Sequence, residues 1–143
     1  ERAQARMNAN QARAAMLDYD AYYKAVNGKV NDVFYYYREQ AAVQAKQFQR
    51  ALDDLAKAIE LNPKELTYFS ELAVVNIRVG RNEEAIKVLK DALEIDSKYA
   101  EAYRLIGVAQ LQLKQNKEAC ASFAKAKELG DPNVDALIEK HCK

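Results

Sequence analysis

The stretch EEAIKVLKDALEID, from Glu83 to Asp96, returns twice in the chain at one fixed interval. One interval upstream it becomes RALDDLAKAIELN (Arg50 to Asn62), and one downstream KEACASFAKAKELG (Lys117 to Gly130). Three sets of positions keep their character. Small residues stand at Ala51, Ala85 and Ala119, large apolar ones at Leu55, Leu89 and Phe123, and a second small set at Ala58, Ala92 and Ala126. A fixed period of this length predicts a solenoid of stacked units, each covering its neighbour's apolar face, rather than one closed core.

The units are predicted to be helical, so the fold class is all-α. Strong helix formers dominate, β-branched residues do not alternate, and only 4 Gly and 2 Pro interrupt the 143 residues. With 22 basic against 21 acidic residues there is no basic excess, which speaks against a nucleic-acid partner. No apolar run approaches the ~18 residues of a membrane span. The chain begins with Glu1 rather than Met, so either a piece of a longer protein or a processed chain is expected.

Taken in order, residues 1–31 read as an N-terminal helix. Ala12, Ala15, Tyr19, Tyr22 and Val26 form its apolar stripe, and Asn27-Gly28 forms its stop. Its end, KAVNGKVND, is similar to KAIELNPKE, so it reads as the degenerate second half of an earlier unit; its Ala-rich start fits no unit and is expected to protrude or dock elsewhere. Full units are expected at 32–65, 66–99 and 100–133, with Asn62-Pro63, Gly80 and Asp96-Ser97 as breaks. Gly107 falls inside a helix and needs a packing reason; it stands one period after Ala73 and two after Glu39. A last helix, from Asn133 to about Cys142, is expected to cap the array with Val134, Leu137, Ile138 and Cys142.

These positions resemble the tetratricopeptide repeat family, whose helix–turn–helix units have the same period. Its early aromatic corresponds to Tyr35, Phe69 and Tyr103; its Leu-Gly pair to Leu72-Ala73 and Ile106-Gly107, but only to Arg38-Glu39 in the first unit; its closing Pro to Pro63, with Ser97 in the second unit and Pro132 one residue late in the third. The resemblance implies a right-handed α-solenoid, a single domain over 1–143, and no enzymatic activity. It further implies a concave groove lined by first helices that takes extended or helical peptides. Carried over residue by residue, that groove holds Tyr36, Gln40, Val43 and Gln44 from the first unit, Ser70, Val74, Ile77 and Arg78 from the second, and Arg104, Val108 and Leu111 from the third. Val74 and Val108 could equally be core. Members that clamp a peptide carboxylate use basic donors, and the matching positions here are Tyr36, Gln40, Glu71, Glu101 and Leu105, so that mode is not expected.

Little else carries chemistry. His141 is the only histidine, and no phosphate loop, zinc spacing or nucleophile motif is present, so neither cofactor nor metal is expected. Carboxylates such as Asp53-Asp54 and Glu83-Glu84 read as solvated or helix-start charges. The Tyr cluster at 19, 22, 23, 35, 36 and 37 is expected to fill the seam between the N-terminal helix and the first unit, a binding platform being the alternative. A helical hairpin turning near Asp131 brings Cys120 opposite Cys142, so either a disulfide staples the last helix or two buried thiols lie there. A disulfide, and a looser similarity of the ending to exported bacterial repeat proteins, would favour an oxidising, periplasmic or exported setting. Two roles follow: a scaffold for a protein or peptide partner, or an assembly piece that self-associates through its N-terminal helix.

Overall fold

The structure, a computed structural model, describes residues 2–143. Among these there are eight helices and no strand: α1 (Arg2–Ala25), α2 (Asp32–Gln44), α3 (Phe48–Leu61), α4 (Leu66–Arg78), α5 (Asn82–Ile95), α6 (Ala100–Gln112), α7 (Asn116–Glu128) and α8 (Asp135–His141). The chain divides into two compact units, Glu1–Tyr68 and Phe69–Lys143, and the division falls inside α4.

In the first unit, α2 starts where Asn31 Oδ1 accepts the Phe34 N–H at 3.0 Å, satisfying one of the four orphan donors of a helix start. Helix α3 turns Ala51, Leu55 and Ala58 fully inward. Tyr35 and Tyr68 pack with Ala58, and Tyr23, Val30, Phe34, Tyr36 and Ile59 lie against them. Helix α1 packs on α2 through the expected stripe at Ala12, Ala15, Tyr19 and Val26, all buried or half-buried, but not through Tyr22. Ala12 and Met16 are buried and Tyr23 is half-buried, whereas Tyr22 is 56% exposed. Tyr23, one residue on and so turned by about 100°, takes the inward place that Tyr22 leaves.

In the second unit, the same three positions recur on α5 (Ala85, Leu89, Ala92) and α7 (Ala119, Phe123, Ala126), all without solvent exposure. Around α5 the core is completed by Ala73, Ala102, Leu105 and Ile106. Around α7 it is completed by Val134, with Tyr103, Val108, Leu111, Leu137 and Ile138 against it. Gly107 has its packing reason: a Cβ there would lie 2.6 Å from Phe123 Cδ1 and 3.1 Å from the Ala119 carbonyl oxygen.

Three turns repeat with the period. Lys46, Gly80 and Lys114 adopt left-handed φ values of 59°, 83° and 63°. After each, the next residue's N–H reaches back into the preceding helix: Gln47 to Ala42 O at 2.8 Å, Arg81 to Asn76 O at 2.8 Å, Gln115 to Gln110 O at 2.9 Å. In these three turns the helix-ending conformation is conferred by the back-bond, and glycine occupies it only at Gly80; Gly130, which ends α7, makes the same turn with the Asp131 N–H on Ala126 O at 2.9 Å.

Two expectations are corrected. The last helix starts at Asp135, not Asn133, because Asp131 Oδ1 accepts the Asn133 N–H at 2.8 Å and holds 131–133 in a turn. Asp53, Glu83 and Glu84 are exposed as expected, but Asp54 is buried. Its carboxylate accepts Arg38 Nε at 3.0 Å and Arg38 Nη2 at 2.8 Å, and Asp20 Oδ1 takes Arg38 Nη1 at 3.3 Å. The Arg38 guanidinium also lies 5.2 Å, 5.3 Å and 5.7 Å from the ring centres of Tyr23, Phe34 and Tyr35. Arg38 and Asp54 stand one period before Leu72 and Val88, so the buried ion pair occupies positions that hold aliphatic residues one period on.

Candidate protein-binding faces

Each unit presents a first-helix face built on its own core. In the first unit, α2 carries Tyr36, Gln40, Val43 and Gln44. Tyr36 is half-buried, its ring 5.4 Å from Tyr68 and 5.8 Å from Tyr37; Val43 is half-buried, and Gln40 and Gln44 are exposed. Asp32, at the start of α2, receives Tyr68 Oη–H at 2.6 Å and Asn62 Nδ2–H at 3.2 Å. These bonds, the Tyr68 one foremost, hold the Asp32 carboxyl below its usual range. Burial, and then the same bond, push the Tyr68 phenol up.

In the second unit, Val74 and Ile77 on α4 rest on the α5 core cluster, and Val108 and Leu111 on α6 rest on the α7 cluster. All four are half-buried, so each has one side in the core and one at the surface. Val108 and Leu111 also line a cleft of about 490 Å³ with Gln112, Leu137, Lys140 and His141. Three other residues of the expected row and clamp are used internally. Ser70 is buried and bonds to Tyr99. Leu105 belongs to the core. Arg104 is held by the buried Asp131, Nε lying 3.1 Å from both carboxylate oxygens, and its Nη2 lies 3.4 Å from Glu101. Arg78 is exposed at the end of α4.

On this face the Glu71 carboxyl feels the Glu101 carboxylate. Burial first, and Glu101 second, push the Glu71 carboxyl up from its ordinary value. Burial likewise drives the Tyr99 phenol up to about 12, and Tyr99 Oη–H donates to Glu101 at 2.9 Å. Among the described residues no cluster of His, Cys, Asp or Glu could hold a metal ion, and no helix is long and apolar enough to cross a membrane.

The Tyr cluster divides. Tyr19 and Tyr23 pack at 5.6 Å and 6.0 Å on Phe34, and Tyr35 is buried, which is the seam filling the sequence predicts. Tyr22 and Tyr37 stay exposed beside a cleft of about 320 Å³. The cysteines are joined: Cys120 on α7 and Cys142 after α8 form a disulfide with Cα atoms 5.6 Å apart.

Helices alone, with one packing pattern returning at a fixed interval, define an all-α helical-repeat protein. The repeat is of a known kind: "TPR repeat" matches residues 77–114 and "Tetratricopeptide repeat" matches 100–129. Solved structures agree. The Arabidopsis OM64 TPR domain is 28% identical, with 76% of this chain and 91% of that chain covered and a TM-score of 0.69. MamA is 25% identical, covering 86% and 71%, with a TM-score of 0.74. The first TPR of Spaghetti (RPAP3), bound to the HSP90 peptide SRMEEVD, shares the fold at 18% identity, with 77% and 89% covered and a TM-score of 0.70. Among curated proteins no sequence matches the chain. Over residues 77–129 the chain carries tetratricopeptide repeats.

Proposed function

We propose that this protein is a non-enzymatic scaffold whose first-helix faces hold segments of another protein. The observation that carries the reading is the row Val74, Ile77, Val108 and Leu111, half-buried aliphatic side chains whose inner sides are in the core and whose outer sides are available. Aliphatic surface of that kind, next to polar groups, marks contact sites. The RPAP3 domain with its bound peptide supports the same use of this fold.

The partner segment differs in charge from that acidic peptide. Glu71 and Glu101 stand where carboxylate-binding members have basic donors, and Arg104 is already neutralised by Asp131. A Lys or Arg of the ligand would relieve the repulsion at Glu71. The preferred ligand is therefore an apolar segment carrying a basic residue.

Panning a displayed random-peptide library on the whole protein tests this. Enriched peptides are expected to combine aliphatic residues with Lys or Arg, and to lose binding to Val74→Asp and to Glu71→Lys. No enrichment, or enriched peptides indifferent to both variants, would remove the reading. Self-assembly through α1 is supported by the exposure of its first residues. It is opposed by charge, because Arg2, Arg6 and Arg13 face no carboxylate within 2–17 and would meet their own copies.

A further inference from the structure

The N-terminal part of α1 carries a second feature, independent of the row on α4 and α6. From Arg2 to Gln11 no side chain is buried. This part of α1 and the turn between α2 and α3 enclose a cleft of about 740 Å³. It is lined by Ala5, Ala9 and Ala45, by the amides of Asn8 and Gln44, and by the cations Arg6, Arg13 and Lys46. Among the described residues none of these three cationic side chains has a hydrogen bond or ion pair, and the stretch 2–17 contains no Asp or Glu. Unpaired cations gathered round such a cleft have charge complementarity with one class of partner only.

We propose that this cleft docks an acidic helical segment of a partner protein. The small residues Ala5 and Ala9 are one turn apart on the same face, so a second helix can approach closely. Arg6 and Arg13 are two turns apart, about 10 Å along the axis, which matches carboxylates at i and i+7 of a docked helix. Lys46, across the cleft, meets a third carboxylate between them. A nucleic acid fits less well, because the lining offers no aromatic ring for a base to stack on. A second copy of the same α1 fits less well, because arginines would face arginines.

The probe is a labelled, Ala-based helical peptide of about four turns with Glu at i, i+3 and i+7, titrated against the whole chain by fluorescence anisotropy. Saturable binding is expected, weakening with salt. It should weaken about tenfold or more in the triple variant Arg6→Glu, Arg13→Glu, Lys46→Glu. A Glu→Gln version of the peptide should not bind. The pair Lys87→Glu, Lys90→Glu, on exposed positions of α5, should leave binding unchanged. Should the reversal variant lose its helical circular dichroism, the triple Gln variant carries the same comparison. The proposal fails if the acidic peptide does not bind or if the α5 pair weakens it equally. It fails too if an oligonucleotide of equal charge binds more tightly, or if light scattering shows a dimer that the triple variant dissociates.

Discussion

At the scale of single residues, the fold is limited by space more than by helix propensity. Gly107→Ala illustrates the competition. In an open helix the change would gain about 1 kcal/mol. Here the new methyl would sit 2.6 Å from Phe123 Cδ1, and Phe123 is wholly buried and cannot swing away. Overpacking of that kind costs about 1–3 kcal/mol, so net destabilisation is expected as a fall in the urea midpoint. Ala85→Leu, at a position with no exposure, should behave alike; an unchanged midpoint in either variant would mean the helices separate freely. The Arg38–Asp54 pair poses the opposite problem. Asp54→Ala strips a guanidinium that is only 13% exposed of its bidentate partner, leaving Asp20 alone to compensate. A loss of about 2–4 kcal/mol is expected, below the full cost for a deeply buried pair. Arg38→Leu with Asp54→Val, which imports the aliphatic residues found one period later at Leu72 and Val88, should recover most of it. A double-mutant cycle with no coupling would show that the pair is decorative.

At the scale of elements, α8 is the piece that cannot stand alone. It has 7 residues, and isolated helices in water need about 12–15. Two things hold it: Val134, Leu137 and Ile138 against Phe123, and the bridge from Cys120 to Cys142. Closing a loop across 22 residues of sequence is worth about 3 kcal/mol. Reduction should therefore abolish amide protection in α8 while α6 and α7 keep theirs, as read by hydrogen-exchange mass spectrometry. Protection of α8 that survives reductant would mean packing alone suffices. The helices and their inner positions were legible in the sequence because helix crossings admit only small residues at fixed places, as at Ala51, Ala85 and Ala119. The outward faces were less so. Whether Ser70 or Arg104 points outward depends on Tyr99 and Asp131, partners on other elements that no period specifies. Asp54 was also missed, although the joint replacement of Leu72 and Val88 by Arg38 and Asp54 one period earlier was a readable signal.

At the scale of the whole molecule, formal charge is nearly balanced at +1, so pH acts through individual groups rather than through net repulsion. Two of them act with opposite sign, one in each compact unit. The Asp32 carboxyl is held below its ordinary value by Tyr68, so the folded state binds its proton less readily than the unfolded one. Its stabilisation is present above the unfolded value of 3.8 and is lost as pH falls through the lower folded value. The Glu71 carboxyl is raised by burial and Glu101, so the folded state holds its proton more readily. Its ionisation costs stability at neutral pH, and that cost disappears as pH falls through the raised folded value toward 4.5. Mild acid should thus strengthen the 69–143 unit before stronger acid weakens the 2–68 unit. The variants separate the two effects in urea titrations from pH 7 downward. Glu71→Gln should raise the midpoint at pH 7 and match wild type once Glu71 is protonated. Asp32→Asn should lower the midpoint at pH 7, with the difference shrinking at the acid end. At the alkaline end Tyr99, raised to about 12, adds a third limb: its contribution is complete below 10 and is lost as pH climbs toward 12. A Glu71→Gln midpoint that tracks wild type at every pH would show that Glu71 sits in water, and the preference proposed for a basic residue in the ligand would go with it.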